Sequence, residues 1–294
     1  MRAWLVVNHF VHAEKFETLY QMILKTAHSF EIDLECKTNV ELMCAIDGVD
    51  ADFPWERPDF VLFWDKDILL CKILERFGLP VFNCSYAIET CDNKALTTVA
   101  LMKSGIRMPR TIAAPKTFAK TRYPETDWLA SVGDALGFPL VLKESFGSFG
   151  FQVYLVRNLD ELMRKTEEIG TRPMIFQELV KTSIGRDVRL QVVGNEVPAA
   201  VFRKAKEGDF RANVTNGGTM LPYTPTDAEA ECAIRVAQIL RADFVGVDLL
   251  FSDSEEPILC EANTNAHFKN LLDATGIDVG FDIFRHILNK MGRL

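Results

Sequence analysis

The sequence predicts a mixed protein, α/β over its first third and α+β beyond it, and two observations carry that expectation. Up to about residue 92, short apolar strands alternate with helical stretches, the pattern of a parallel sheet with helices on its faces. After that point apolar runs follow one another across Gly-containing turns, the pattern of antiparallel hairpins. A length of 294 residues suffices for a large core and for about two domains.

In chain order, strands are expected at "AWLVV" (3–7), "FVLFW" (60–64) and "LPVF" (79–82), with helices over 14–30 and 66–77. A second unit opens at "CDNKALTTVALMKSGIRMPRT", where Asp92 can cap a helix starting near Asn93 and Gly105 can end it. "FPLVLKESFGSFGFQVYLV" reads as strand, Gly-containing loop, strand. "NLDELMRKTEEIG" reads as a helix capped by Asn158, and "MIFQELV" as a strand. "DVRLQVVGNEVPAAVFRKA" is a hairpin turning at Gly194 and Asn195. A helix over 227–241 precedes a second hairpin, and an amphipathic helix over about 280–290 closes the chain. The sequence has no internal repeat, low-complexity tract or long linker.

Charge narrows the function classes. Lys and Arg total 33 against 41 Asp and Glu, a net charge of −8, which argues against a general nucleic-acid or membrane-surface protein. No apolar run reaches the roughly 18 residues of a membrane span. The apolar stretch at 3–7 has no cleavage site after it, so a cytoplasmic protein is expected. The cysteines at 36, 44, 71, 84, 91, 232 and 260 form no C-x-x-C pair and read as reduced core residues. His9 and His12 form an H-x-x-H, which without a third ligand reads as a loop rather than a zinc site.

The second hairpin raises a chemical question, because "DLLFSDSEEPILCEANTN" (248–265) puts two carboxylates and an Asn into a buried pair of strands. With the turn centred between Ser254 and Glu255, Phe251 faces Ile258, Leu250 faces Leu259, and Asp248 faces Glu261. Period-two alternation puts Asn263 on the same face, opposite Gly246, which contributes no side chain. Facing carboxylates on a half-buried sheet repel and lose hydration unless a cation or a shared proton compensates. All-oxygen donors suit Mg²⁺ or Mn²⁺. Taken alone, the pair reads more readily as a solvated polar face.

Three other stretches carry chemistry. "KESFGSFGFQV" (143–153) has a Lys ending one strand, a glycine loop whose amides can cover phosphate oxygens, and then a strand. A Walker loop or a dinucleotide fingerprint would lead into a helix instead. Alone, the stretch is as readily a glycine-turn hairpin. "FQELV" (176–180) is a strand that could read an adenine edge and then a ribose, while Asp187 and Arg189 could equally form a local surface ion pair. "RKAKEGDFRANVTNGG" (203–218) gathers Arg203, Lys204, Lys206 and Arg211 before an Asn- and Gly-rich loop, an arrangement suited to anions.

Together, "CDNKALTTVALMKSGIRMPRT", "PLVLKESFGSFGFQV", "FQEL", "GRDVRLQVVG", "RKAKEGDFRANVTNGG", "GVDLLF" and "EANTN" resemble the ATP-grasp carboxylate-amine ligases of the RimK type over roughly residues 86–290. The resemblance implies an N-terminal α/β domain (1–92) followed by a two-lobed ATP-grasp clamp. Its small lobe (93–175) would carry the phosphate flap, and its large lobe (176–294) the metal site. Lys94 and Lys143 resemble the lysines that hold ATP phosphates, and Ser145, Gly147, Ser148 and Gly150 belong to the flap over them. Gln177, Glu178 and Leu179 look like the adenine-binding strand, with Asp187 at the ribose and Lys204 also on the nucleotide. Arg203 and Arg211 are similar to the basic residues at the reacting carboxylate and phosphate, with Asn213 beside them. Asp248, Glu261 and Asn263 match the ligands of Mg²⁺ or Mn²⁺, with two ions expected, and are the trio that the hairpin register produces independently.

The family's glutamate ligases continue the metal motif as N-x-S-P-G, whereas this chain reads "NTNAHFKN" (263–270). That tail looks more like ligases that load amino-acid precursors onto an acidic carrier protein, although His267 stands where those have an acidic residue. Arg189, Asn265, His267 and Lys269 are the substrate-side candidates. The resemblance implies ATP-dependent joining of a carboxylate to an amine through an acylphosphate, with an amino acid, peptide or carrier protein as partner and a homo-oligomer left open. Nucleic acid and membrane are not expected partners. The alternative is a nucleotide-binding regulator with an inactive clamp, which ADP release dependent on both a carboxylate and an amine would discriminate. A dinucleotide oxidoreductase is disfavoured by the missing G-x-G-x-x-G after any early strand.

Overall fold

A computed structural model describes residues 1–46, 53–147, 150–212, 217–254 and 256–293. The N-terminal third contains β1 (Arg2–Val7), α1 (Glu14–His28), β2 (Asp33–Thr38), β3 (Phe60–Phe63), α2 (Ile68–Arg76) and β4 (Val81–Phe82). The strands form a parallel sheet in the order β2-β1-β3-β4. Near-continuous apolar runs such as Phe60–Phe63 are buried on both faces, as parallel strands covered by helices require. One face packs Leu5, Leu19 and Ile23 against Phe244 and Phe284 from the far end of the chain, and the other packs Val6, Phe63, Leu70 and Leu74.

Next come α3 (Ser85–Asp92) and α4 (Lys94–Ala100). The cap between them is Asn93, whose side chain accepts from the amides of Ala95 and Leu96; Asp92 instead ends α3, which the sequence pattern did not reveal. β5 (Thr111–Ala113), α5 (Trp128–Leu136), β6 (Leu140–Glu144), β7 (Val153–Val156), α6 (Leu159–Ile169) and β8 (Met174–Glu178) then build an antiparallel sheet ordered β5-β8-β6-β7. α5 and α6 share a core with this sheet. Asn158 caps α6 by accepting from the Glu161 amide, as its position predicts.

The last sheet holds β9 (Arg186–Val193), β10 (Glu196–Lys204), β11 (Thr219–Pro222), β12 (Phe244–Leu250) and β13 (Ile258–Asn263), ordered β11-β10-β9-β12-β13. α7 (Asp227–Ile239) lies on one face, and α8 (Lys269–Thr275) and α9 (Val279–Lys290) follow β13. Alternation along the two central strands sorts the chemistry. Val188, Leu190, Val192, Val245, Val247 and Leu249 share a core with Ala233 and Val236 of α7, leaving Asp187, Arg189, Gly246 and Asp248 to the opposite face.

The predicted hairpin forms, with Asp248 opposite Glu261 and Gly246 opposite Asn263. Toward the turn the expected register fails by one residue: Leu249 pairs with Leu259 and Leu250 with Ile258, because a bulge at Cys260 inserts an extra residue into β13. The cysteines are all free, but only Cys71 and Cys91 are fully buried, and Cys36 is exposed on the edge strand β2. Among the described residues, no helix is long and apolar enough to cross a membrane.

Candidate active site

The polar face of the five-stranded sheet opens onto a cavity of about 470 Å³, which the antiparallel four-stranded sheet lines with Val141, Lys143, Val153 and Gln177. The N-terminal third adds Lys15, Phe16 and Lys66. Asp248 is on its wall and is 4 % exposed. The strand register places Arg189 directly opposite it, and the guanidinium donates through Nε to Oδ1 at 2.6 Å and through Nη2 to Oδ2 at 2.7 Å. Arg203, one strand further, donates to Asp248 Oδ2 at 2.8 Å and grips Asp187 through both oxygens at 2.7 and 2.6 Å. Burial pushes the Asp248 carboxyl up, but the two guanidiniums outweigh it and hold it at about 2.

These contacts correct two expectations. Asp187 and Arg189 are not a surface pair: each is committed to a partner on the neighbouring strand, Asp187 to Arg203 and Arg189 to Asp248. Asp187 spends one lone pair of each oxygen on Arg203, and Arg203 presents no free fork to a substrate in this arrangement. The carboxylates facing each other across the hairpin are compensated by side chains, with Glu261 lying 3.6 Å from Lys94 Nζ.

Lys143, near the end of β6, is 8 % exposed. Its Nζ lies 3.9 Å from the Sγ of the bulged Cys260, and among the described residues no carboxylate pairs with it. Ser145 is buried with its Oγ unpartnered. The flap's edges are tied down: Lys94 Nζ donates to the Gly147 carbonyl at 3.2 Å, and Arg211 Nη1 to the Gly150 carbonyl at 2.8 Å. Arg211 is itself oriented by Asp209, whose carboxylate accepts from Nε and Nη2 at 3.0 Å each. Ser148 and Asn213 lie outside the described residues.

At the other end, Gln177, Glu178 and Leu179 line the cavity beside Pro109, Ile184 and Leu250. The Gln177 amide donates to Thr111 at 2.9 Å rather than into the cavity. Glu178 accepts from the Arg110 amide and Nε at 3.0 and 2.9 Å. Burial pushes the Glu178 carboxyl up, while these Arg110 contacts bring it below the usual range. That leaves backbone groups and an apolar floor to meet a flat ring. Asn263, Asn265 and His267 also line the cavity. His267 Nε2 lies 2.7 Å from the Lys15 carbonyl, and burial pushes its pKa down.

Five described candidates are not on the wall of this cavity: Lys94 lines a smaller one that shares Lys143 and Glu261 with it, Ser145 and Gly147 lie on neither wall, and Lys269 and Lys204 are engaged or placed elsewhere. Lys269 pairs with Asp273 one turn along α8, and exposed Lys204 at the end of β10 does not reach the cavity wall. Arg110, Asp209, Lys15, Phe16 and Lys66 were not recognisable in the sequence, since each takes its place through a partner distant in the chain or a loop. Among the described residues no cluster of three His, Cys, Asp or Glu side chains could hold a metal. Two carboxylates with an amide, Asp248, Glu261 and Asn263, form the hard oxygen donor set present, and its chemistry fits a divalent cation brought with phosphates.

A profile of the RimK-like ATP-grasp domain matches residues 91–287. Among curated relatives, a Mycoplasma pneumoniae protein named MG012 homolog is 32 % identical over 83 % of this chain and 84 % of its own length. Human N-acetylaspartylglutamate synthase A is 33 % identical over 74 % of this chain and 54 % of the synthase. A probable alpha-L-glutamate ligase of an Enterobacter strain is 34 % identical over 70 % of this chain and 66 % of the ligase. The chain thus spans between about half and two thirds of the synthase and ligase relatives. The fold is shared with the crystal structure of a RimK-domain ATP-grasp protein from Sphaerobacter thermophilus, at a TM-score of 0.72 and 19 % identity over 97 % of this chain and 99 % of the other. D-alanine–D-alanine ligase from Bacillus anthracis complexed with ATP superposes with a TM-score of 0.70 at 16 % identity, covering 100 % and 98 %. By a profile spanning most of its length, by relatives that are ligases and synthases, and by its fold, the chain belongs to the RimK-like ATP-grasp family.

Proposed function

We propose that this chain is an ATP-dependent ligase that joins a carboxylate to an amine of an amino acid or peptide, passes through an acylphosphate, and releases ADP and phosphate. The observation that carries the reading is Lys143. A nearly buried ammonium whose partner among the described residues is a thiol at 3.9 Å is costly unless an anion occupies the adjoining space. A nucleotide polyphosphate supplies that anion, with its base over the apolar floor beside Leu179 and Ile184.

In this reading Lys94 and Lys143 hold phosphate oxygens and the 145–150 segment covers them. Asp248, Glu261 and Asn263 would hold Mg²⁺ or Mn²⁺, which when bound neutralises charge gathered on the transferring phosphate. Arg211, aimed by Asp209 and tied to the flap at Gly150, would neutralise the charge of the phosphoryl group as it passes from ADP to the donor carboxylate. Arg203 acts as a positioning residue, fixing Asp187 and Asp248 relative to each other. The tail residues Asn265 and His267, with Lys15 and Lys66 across from them, form the substrate end of the cavity. No side chain needs to form a covalent intermediate. Exclusion of water by the flap protects the acylphosphate until the amine displaces phosphate.

An ADP-release screen over amino acids and peptides, with mass spectrometry of the products, tests the proposal. Release that requires an acid and an amine together, with a product lighter than their sum by one water, is the expected result. Tight ATP binding without amine-dependent turnover across the screen would favour the regulator instead.

A further inference from the structure

We propose that Arg189 is a counter-ion latch, holding Asp248 against divalent cations until a nucleotide arrives; the inference rests on Asp248 being part of the metal site. The Asp248 carboxylate accepts from Arg189 Nε and Nη2 at 2.6 and 2.7 Å and from Arg203 Nη2 at 2.8 Å. A carboxylate offers about four lone-pair positions, so these contacts leave roughly one, on Oδ1. The two guanidiniums differ in what they lose if Asp248 turns to a cation. Arg203 keeps both oxygens of Asp187. Arg189 keeps nothing, because among the described residues Asp248 is its sole carboxylate partner.

Charge decides the order of events. Asp187, Asp248, Arg189 and Arg203 sum to zero in a buried patch. A divalent cation entering alone would sit beside two guanidiniums and strip one of its counter-ion, in surroundings where unpaired charge is expensive. A cation entering with a polyphosphate brings the missing negative charge. Arg189, whose side chain lines the cavity, then exchanges Asp248 for an anionic oxygen of nucleotide or substrate. The latch therefore makes metal binding depend on nucleotide, and it makes Arg189 available to an acid only after that. Glu261 carries a weaker version of the same compensation, with Lys94 at 3.6 Å.

The test reads metal binding, not turnover: free Mn²⁺ is followed by electron paramagnetic resonance for wild type, Arg189→Met, Arg189→Lys and Asp248→Asn, without nucleotide and with saturating ADP. Methionine keeps an unbranched stem while removing the charge and its fork. Without nucleotide, Arg189→Met should bind Mn²⁺ about tenfold or more tightly than wild type, the scale of one charge-assisted pair. Arg189→Lys, which keeps the charge but not the bidentate grip, should gain only about two- to threefold on the same scale. With ADP the two Arg189 variants should converge toward wild type, whereas Asp248→Asn should lose the ADP-dependent site. Unchanged nucleotide-free affinity in a folded Arg189→Met overturns the latch; should that variant not fold, unchanged affinity in Arg189→Lys does so. If wild type with ADP retains no more Mn²⁺ than ADP alone, or Asp248→Asn is indistinguishable from it, the metal-site reading itself fails and the latch falls with it.

Discussion

Lys143 and Arg203 are both nearly buried cations, yet they are satisfied in opposite ways, and substitution should separate them. Lys143 faces a thiol and an open cavity, so Lys143→Ala should weaken ATP binding by about tenfold, roughly one lost charge-assisted contact, in calorimetric titration. Its melting temperature should stay within a few degrees of wild type. Arg203 contacts two buried carboxylates, so Arg203→Ala leaves Asp187 without its partner and Asp248 with Arg189 alone, and should destabilise the fold by about 3–5 kcal/mol in urea denaturation. A Lys143→Ala protein with full ATP affinity, or an Arg203→Ala protein of unchanged stability, contradicts these assignments. The residue types and strand positions of both were readable from "LVLKES" and "VFRKAK". Their partners were not. The sequence shows that Asp187 and Arg189 are two apart and share a face, but only the β10-β9-β12 order shows that each pairs with its neighbouring strand rather than with the other.

At the scale of the element, the β12-β13 hairpin was legible because period-two alternation and a polar turn constrain the pairing near Asp248. The bulge at Cys260 was not, since nothing in "PILCEAN" marks an extra residue. Short elements escaped for a similar reason. β2 is a half-exposed edge strand of mixed polarity, and α3 runs almost directly into α4, so neither shows a clean period. Gly246 has a role beyond the room it leaves for Asn263. A Cβ there would lie 2.6 Å from the Cβ of Ala266, short and attached to the tail that follows the hairpin. Gly246→Ala should therefore push that tail from the sheet and cost about 1–3 kcal/mol, read as a lowered urea midpoint. Stability equal to wild type would show that the tail moves freely.

Across the whole molecule, the N-terminal third is fastened to the sheet that carries the site. Asn83, after β4, donates to the Phe244 carbonyl at 2.8 Å and accepts from the amides of Asp243 and Phe244 at 2.6 and 3.2 Å. Asn83→Ala leaves buried backbone groups at the start of β12 unsatisfied and should lose about 2 kcal/mol, with Asn83→Asp recovering only the acceptor half of the contacts. An unchanged urea midpoint for Asn83→Ala would remove this fastening from the account. The α/β pattern of the first third was plain in the sequence, but its contribution of Lys15, Phe16 and Lys66 to the cavity depends on docking that no local pattern encodes. That docking puts Lys15, Phe16 and Lys66, the last paired with Asp92, on the wall of the cavity that the two later sheets also line. The central claim is best tested by measuring ADP release at saturating ATP and Mg²⁺ from an amino-acid and peptide pool, with acid and amine supplied separately and together, for wild type and Glu261→Gln. The account predicts release only when both are present and its loss in Glu261→Gln. Amine-independent release, or full activity in Glu261→Gln, would contradict it.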